Sequence, residues 1–374
     1  MSPLHPSRSA SARVTAISRR DQDTTRRLAA GAAGAALVAA TWLAAGDALA
    51  SENYNLRYAP GIGGSDMSTP LEPGLYGNVN FWIYNAKLEN TQAKRTSLGV
   101  LQVPTEVDTD VYGLFPRITY VSATRWLGAN IGFTAMLPIL YRKSDTHLGM
   151  PAGVPAMYQP TVGAMLANEA KSDDRTGSAS GIGDLELAPL MRWNLDNQQV
   201  VFVPAVMLAT GDYKKSRVYN PGAGKYTTFR PTVQYSYIGD GWDFGSRVAF
   251  SFNTRNSDTD YKSGTMMNID WELMKFVTDS VRVGAAGYVV QQLTDDDCPA
   301  ATCTTPLNGP NGTSGVPGGD GNKGRVYGIG PAIGWIKDSG TLMVEGRVIK
   351  EFGAQNRPEG TAVWLTVGAP LGSL

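Results

Sequence analysis

Past residue 50 the chain is built from segments of about ten residues in which apolar and polar side chains alternate, the period-2 signature of a strand wetted on one face and greased on the other. In Gly183–Asn194, Leu185, Leu187, Pro189, Met191 and Trp193 oppose Asp184, Glu186, Ala188 and Arg192. In Tyr226–Ile238, Phe229, Val233, Tyr235 and Tyr237 oppose Arg230, Thr232, Gln234 and Ser236. Gly241–Asn253 and Thr265–Leu273 repeat the pattern, with Trp242, Phe244, Val248, Met267, Ile269 and Trp271 against Asp243, Arg247, Asp270 and Glu272. Helical spacing fits none of these.

Eight further segments carry weaker alternation: Leu75–Leu88, Val111–Ala123, Leu127–Tyr141, Gln199–Ala209, Val281–Leu293, Arg325–Ile336, Leu342–Phe352 and Thr361–Pro370. Twelve strands follow, the even number that single-chain bacterial barrels have. The connections alternate in length. Short turns are expected near Thr124-Arg125-Trp126, Asp196-Asn197, Gly239-Asp240-Gly241, Thr278-Asp279 and Asp338-Ser339-Gly340, where Asp, Asn and Gly supply turn chemistry. Longer loops are expected at about 89–110, 142–180, 210–225, 254–264, 294–323 and 353–360. No run of about 20 apolar residues follows residue 50, so a membrane could be crossed only by strands, closed so that every backbone group is paired. The expected fold is all-β, a transmembrane antiparallel barrel of about twelve strands with short periplasmic turns and longer extracellular loops, occupying 74–374. Aromatics near the strand ends, Trp82, Tyr84, Trp126, Tyr141, Trp193, Tyr226, Trp242, Tyr261, Trp335 and Trp364, are expected to form the interfacial girdles.

Residues 1–50 are a different polymer: six arginines up to Arg27, a small apolar stretch from Leu28 to Ala45, and Ala48-Leu49-Ala50 at the end. This reads as a signal peptide cleaved after Ala50. Residues 51–73, rich in Gly and Pro and without alternation, are expected as a periplasmic or lumenal segment. The remaining chain has 27 basic and 30 acidic groups, a balance that gives nucleic acid no electrostatic hold. Export favours a loop disulfide between Cys298 and Cys303.

The junctions between the strands resemble those of a known outer-membrane family, that of the MetA pathway of phenol degradation. The matching stretches are Gly181–Leu190, Ala209–Tyr213, Asn253–Gly264, Gln291–Asp296, Gly324–Pro331 and Lys350–Gly360, in order along the chain. The resemblance implies an outer-membrane barrel that helps small hydrophobic or aromatic compounds enter. The chain departs from the common barrel pattern at Pro370–Leu374, where a terminal Phe or Trp is usual.

Charged residues on the polar strand faces are the candidate site. If the apolar faces meet lipid, then Arg117, Asp184, Glu186, Arg192, Arg230, Arg247, Asp270, Glu272, Glu345 and Arg347 line the lumen and set its selectivity. Lumenal ion pairs that fix register are the alternative role. Both signs are balanced, against a strongly cation- or anion-selective pore. Beyond residue 50 the only histidine is His147, in a segment without a serine two residues on, so general-base catalysis and an enzymatic barrel are not expected. Asp258, Asp260 and Asp295-Asp296-Asp297 lack the spacing of a dedicated calcium loop; no metal and no cofactor are expected. The expected partners are outer-membrane lipid and lipopolysaccharide, the barrel assembly machinery and a small hydrophobic solute, with no nucleic acid. Passive passage through the lumen leads; a structural or adhesive barrel acting through its loops is the alternative.

Overall fold

The structure is a computed structural model that describes residues 56–69, 72–96, 99–172, 175–299, 323–337 and 340–372. The signal-peptide reading, Cys303 and most of the turn at Asp338–Gly340 lie outside the described residues.

Fourteen strands form one antiparallel sheet. They are β1 (Gly74–Thr96), β2 (Gly99–Trp126), β3 (Ala129–Met136), β4 (Ile139–Leu148), β5 (Gly177–Ile182), β6 (Glu186–Leu195) and β7 (Gln198–Met207). Then follow β8 (Thr228–Gly239), β9 (Trp242–Asn253), β10 (Met266–Phe276), β11 (Val281–Gln292), β12 (Arg325–Lys337), β13 (Leu342–Gln355) and β14 (Glu359–Gly372). β1 pairs with both β2 and β14, so the sheet closes on itself. β3 and β4 both pair with β2 and are halves of one pass, broken at Leu137-Pro138; β5 and β6, which pair with β4 and β3, are halves of another. The wall therefore makes twelve crossings, the expected number. Where the wall is closed it has no open edge, the one way a sheet can satisfy its backbone in lipid.

The alternation read from the sequence sets the two faces. Phe81, Ile83, Phe229, Val233, Ile329, Ile333 and Leu365 are exposed on the outside, while Arg230, Thr232, Gln234 and Ser236 on β8 and Asp243, Arg247 and Ser251 on β9 are buried inside. The short turns gather at one end. Asp240 and Gly241 take φ of 55° and 76°, the doubly left-handed pair that a two-residue hairpin matching the strand twist requires. The first turn lies at Leu127-Gly128, with φ of 50° and 79°, not at the expected Thr124–Trp126. Those residues belong to β2, whose pairing with β3 slips between Val121 and Arg125, and the extra residues of the irregularity carry the strand further.

Two other expectations are corrected. The segment 89–110 is not a loop, because β1 and β2 stay paired as far as Thr96 and Gly99. β1 leaves β14 at Lys87 and β2 leaves β4 at Thr105, so beyond these points the two arms form a ribbon paired only to itself. Likewise 142–180 holds the rest of β4, helix α1 (Gln159–Ala170) and β5. The girdle is also smaller than expected. Trp126 and Trp242 face outward, and Trp193 donates from its indole to the Leu127 carbonyl at 3.1 Å. Tyr84, Trp364, Tyr226 and Tyr261, by contrast, are buried. Their place on the inward parity of the strands, or inside the loop layer, outweighs their nearness to strand ends.

Candidate functional site

The lumen is not empty. Residues 56–69 run through it as an extended strap, from the long-loop end, where Arg57 meets Met207, Gly224 and Thr228, to the short-turn end, where Ser65–Ser68 meet Gln199, Glu345 and Arg282. The only regular structure in the strap is a single 3-10 turn, Ser65–Met67. Most of its backbone groups must find partners outside it, and the wall's polar side chains supply them. Asp270 accepts from the amides of Gly61 at 3.1 Å and Gly63 at 2.9 Å and from the Tyr58 hydroxyl. Arg347 donates to the carbonyls of Gly61 at 2.8 Å and of Gly63. Gln199 and Gln234 both donate to the Met67 carbonyl, at 3.1 and 2.7 Å. Glu345 takes the amide and hydroxyl of Ser65 and pairs with Arg282 at 3.0 Å and Arg347 at 3.2 Å.

Glycine permits this closeness. A Cβ on Gly64 would stand 2.5 Å from the Arg347 guanidinium and the Glu345 carboxylate, and one on Gly61, at φ 79°, would stand 2.9 Å from the Tyr288 ring. The strap brings charges of its own. Arg57 pairs with Asp184 at 3.1 Å and lies 4.0 Å over the Tyr226 ring. Asp66 sits between Arg247 at 2.9 Å and Arg117 at 3.1 Å.

The strap divides the lumen. Toward the long loops lies a cavity of about 90 Å³, lined by Trp82, Tyr84, Phe115, Leu140 and Arg142. Trp82 is stacked on Tyr84 and on Trp364, at 5.3 Å each, and tilted against Phe115 at 6.1 Å. Toward the short turns lies a cavity of about 140 Å³, lined by Arg117, Arg192, Arg230, Arg247, Glu186 and Gln199 among others. Tyr58 lines both cavities. It is held by Asp270 and by Arg230, whose guanidinium lies 4.8 Å over its ring.

A family model, "Putative MetA-pathway of phenol degradation", matches residues 89–367. The chain belongs to this family. No curated protein matches it. Among solved structures, an outer membrane channel from Pseudomonas putida F1 is similar over 84% of this chain and 99% of that one, at 12% identity and a TM-score of 0.54, the same fold. A FadL homologue from Pseudomonas aeruginosa covers 80% of this chain and 90% of its own at 10% identity and a TM-score of 0.36, and a TodX monoaromatic hydrocarbon channel covers the same shares at 8% and 0.38.

In this member of the MetA-pathway family, nine of the ten charged side chains singled out from the sequence are buried inside the barrel, and the tenth, Arg117, is partly buried. Arg117, Asp184, Arg247, Asp270, Glu272, Glu345 and Arg347 touch the strap directly. Arg230 touches it too and also pairs with Glu186, while Arg192 donates to Gln199 at 3.0 Å. The alternation located them, but it carried no hint that a second segment of the chain would be their partner. Asp243, on the polar face of the alternation but not among the ten, forms a buried ion pair with Arg282 on the same inward parity, and Glu351 accepts from Tyr84 and Tyr288 at 2.8 Å each; the alternation singled out neither Arg282 nor Glu351. Arg282 and Glu351 stand in segments of weaker alternation.

Cys298 is disulfide-bonded. The loop acids serve as ties: Asp296 accepts from Tyr261 and from the Gly264 amide, and Asp297 pairs with Arg255. Far from the lumen, on the outer face, the 59% exposed His147 stands 3.9 Å from Asp108, beside Glu106. Lys87 already answers Glu106 at 2.7 Å.

Proposed function

We propose that the protein is an outer-membrane channel through which small hydrophobic or aromatic solutes pass passively, and that residues 56–69 hold the lumen closed between two cavities. The arrangement of the two cavities inside one closed wall carries this reading. A solute coming from the long-loop side meets an aromatic chamber first, then the barrier at Tyr58, then a polar chamber opening toward the short turns. Aromatic faces favour flat apolar molecules in the first chamber. Few groups of that chamber are arranged for chemistry on a bound molecule: its carboxylates, Asp184 and Glu351, are taken up by Arg57 and by the Tyr84 and Tyr288 hydroxyls. A channel fits this better than an enzyme. The family's description in terms of phenol degradation and the fold shared with the Pseudomonas putida channel support the same reading. Outer-membrane lipid, lipopolysaccharide and the barrel assembly machinery are the partners such a channel requires.

Reconstitution in lipid vesicles tests it. Phenol or toluene should enter vesicles carrying the purified protein faster than protein-free ones, and a variant lacking residues 56–69 should raise that rate further. Equal rates for protein-containing and protein-free vesicles, with the deletion also silent, would overturn the channel reading.

A further inference from the structure

Of the three guanidiniums that line the aromatic chamber, one has no carboxylate partner among the described residues. Arg142, on β4, shares the inward face with the buried Ser144 and Thr146, while Lys143 and His147 between and beyond them are exposed. Three guanidiniums line this cavity together with two carboxylates. Arg57 is paired with Asp184 at 3.1 Å, and Arg357 stands 4.0 Å from Glu351, whose oxygens also take the Tyr84 and Tyr288 hydroxyls and the Gly360 amide at 2.7 Å. Arg142 is the remaining one. Among the described residues no carboxylate stands within ion-pair distance of it; its one hydrogen bond is a 3.5 Å contact to the Asn220 carbonyl, and its Nε has no acceptor.

Other polar atoms of the residues lining this cavity are also buried without a hydrogen bond, among them the Ser144 hydroxyl and the Trp82 indole nitrogen. Arg142 is half-buried and its Nε is shut off from water without an acceptor; a guanidinium so placed, with no counter-charge beside it, is costly. Unsatisfied groups around one cavity, facing a stack of aromatic rings, are what a site looks like whose missing partner is a ligand.

We infer that this chamber binds a small aromatic carboxylate, its ring against Trp82 and Phe115 and its carboxylate on the fork of Arg142. The inference rests on the channel reading and names its solute class. Arginine suits this role because its planar fork matches a carboxylate in two parallel hydrogen bonds.

Calorimetric titration of the full-length purified protein in detergent tests this, with sodium benzoate, benzamide and sodium acetate as probes. Benzoate should bind at least about tenfold more tightly than benzamide, which has its shape without its charge, and than acetate, which has its charge without a ring. Arg142→Gln should erase the advantage of benzoate over benzamide, and Arg142→Lys should restore part of it. Equal binding of benzoate and benzamide by the unaltered protein would overturn the inference whatever the variants do, as would benzoate affinity unchanged in Arg142→Gln. The channel reading fails separately. Benzoate binding without any solute flux into vesicles would remove the channel and keep the site; toluene flux without a preference for benzoate would do the reverse.

Discussion

The two chambers on either side of Tyr58 are held together in different ways. On the short-turn side the strap from Gly61 to Thr69 is tied by charge: Asp66 between Arg247 and Arg117, Ser65 on Glu345, and the Gly61 and Gly63 carbonyls on Arg347. On the long-loop side Leu56 to Pro60 keeps one such tie, Arg57 on Asp184, and otherwise borders a chamber of stacked rings with a single unanswered guanidinium. The first arrangement resembles a lock and the second a receptacle. Buried charge networks lose heavily when one member is removed, whereas aromatic surfaces give way in small steps. A wall of one sequence period can thus build a fixed closure and an adaptable binding surface within one barrel.

The largest effect is expected at the lock. Arg347→Met strips the strap of its carbonyl ligand and leaves part of the Glu345 charge uncompensated, a loss on the order of 3–5 kcal/mol; it should lower the temperature at which the folded barrel shifts mobility on a gel. An unchanged shift temperature would mean that the strap is not anchored there. Next comes the boundary. Tyr58→Ala removes the side chain that lines both chambers and should raise toluene flux into vesicles several-fold, with the shift temperature lowered less than by Arg347→Met. In the receptacle, Trp82→Ala should weaken benzoate binding by about 1 kcal/mol, roughly fivefold, through the lost ring contacts.

The smallest effect is expected outside both chambers. Lys87→Met breaks an exposed pair with Glu106 and should leave flux, benzoate binding and the shift temperature unchanged.

The wall was legible in the sequence because its physics is local. Strand alternation in β6, β8, β9 and β10 follows from which residues meet lipid, and each segment records it independently. For the same reason the ten lumenal charges could be found one by one. What could not be read was anything requiring two distant segments at once. Residues 51–73 lack a period, so their destination depended on whether the wall's inward groups matched their backbone. Nor did the sequence distinguish Trp82 and Tyr84 from girdle aromatics, because nearness to a strand end and inward parity compete, and only the closed sheet decides between them. Arg142 lay inside an expected loop, since the continuation of β4 past Tyr141 has the polar residues of a strand that has left the membrane.

The strap also bears on how the molecule comes to be made. It precedes β1, yet its ties run to the far end of the chain: Ser65 and Glu345 are 280 positions apart, and Arg347 and Gly61 are 286 apart. The β1–β14 seam joins equally distant residues, with Asn80 and Thr366 separated by 286 positions. Residues 56–69 therefore wait for the last strands before they find their partners. Contacts of such separation make folding slow, and through most of that interval the wall's buried carboxylates and guanidiniums have no strap to answer them. Closing the seam and seating the strap then draw on the same few residues of β13 and β14, so a defect in either step should stall the other.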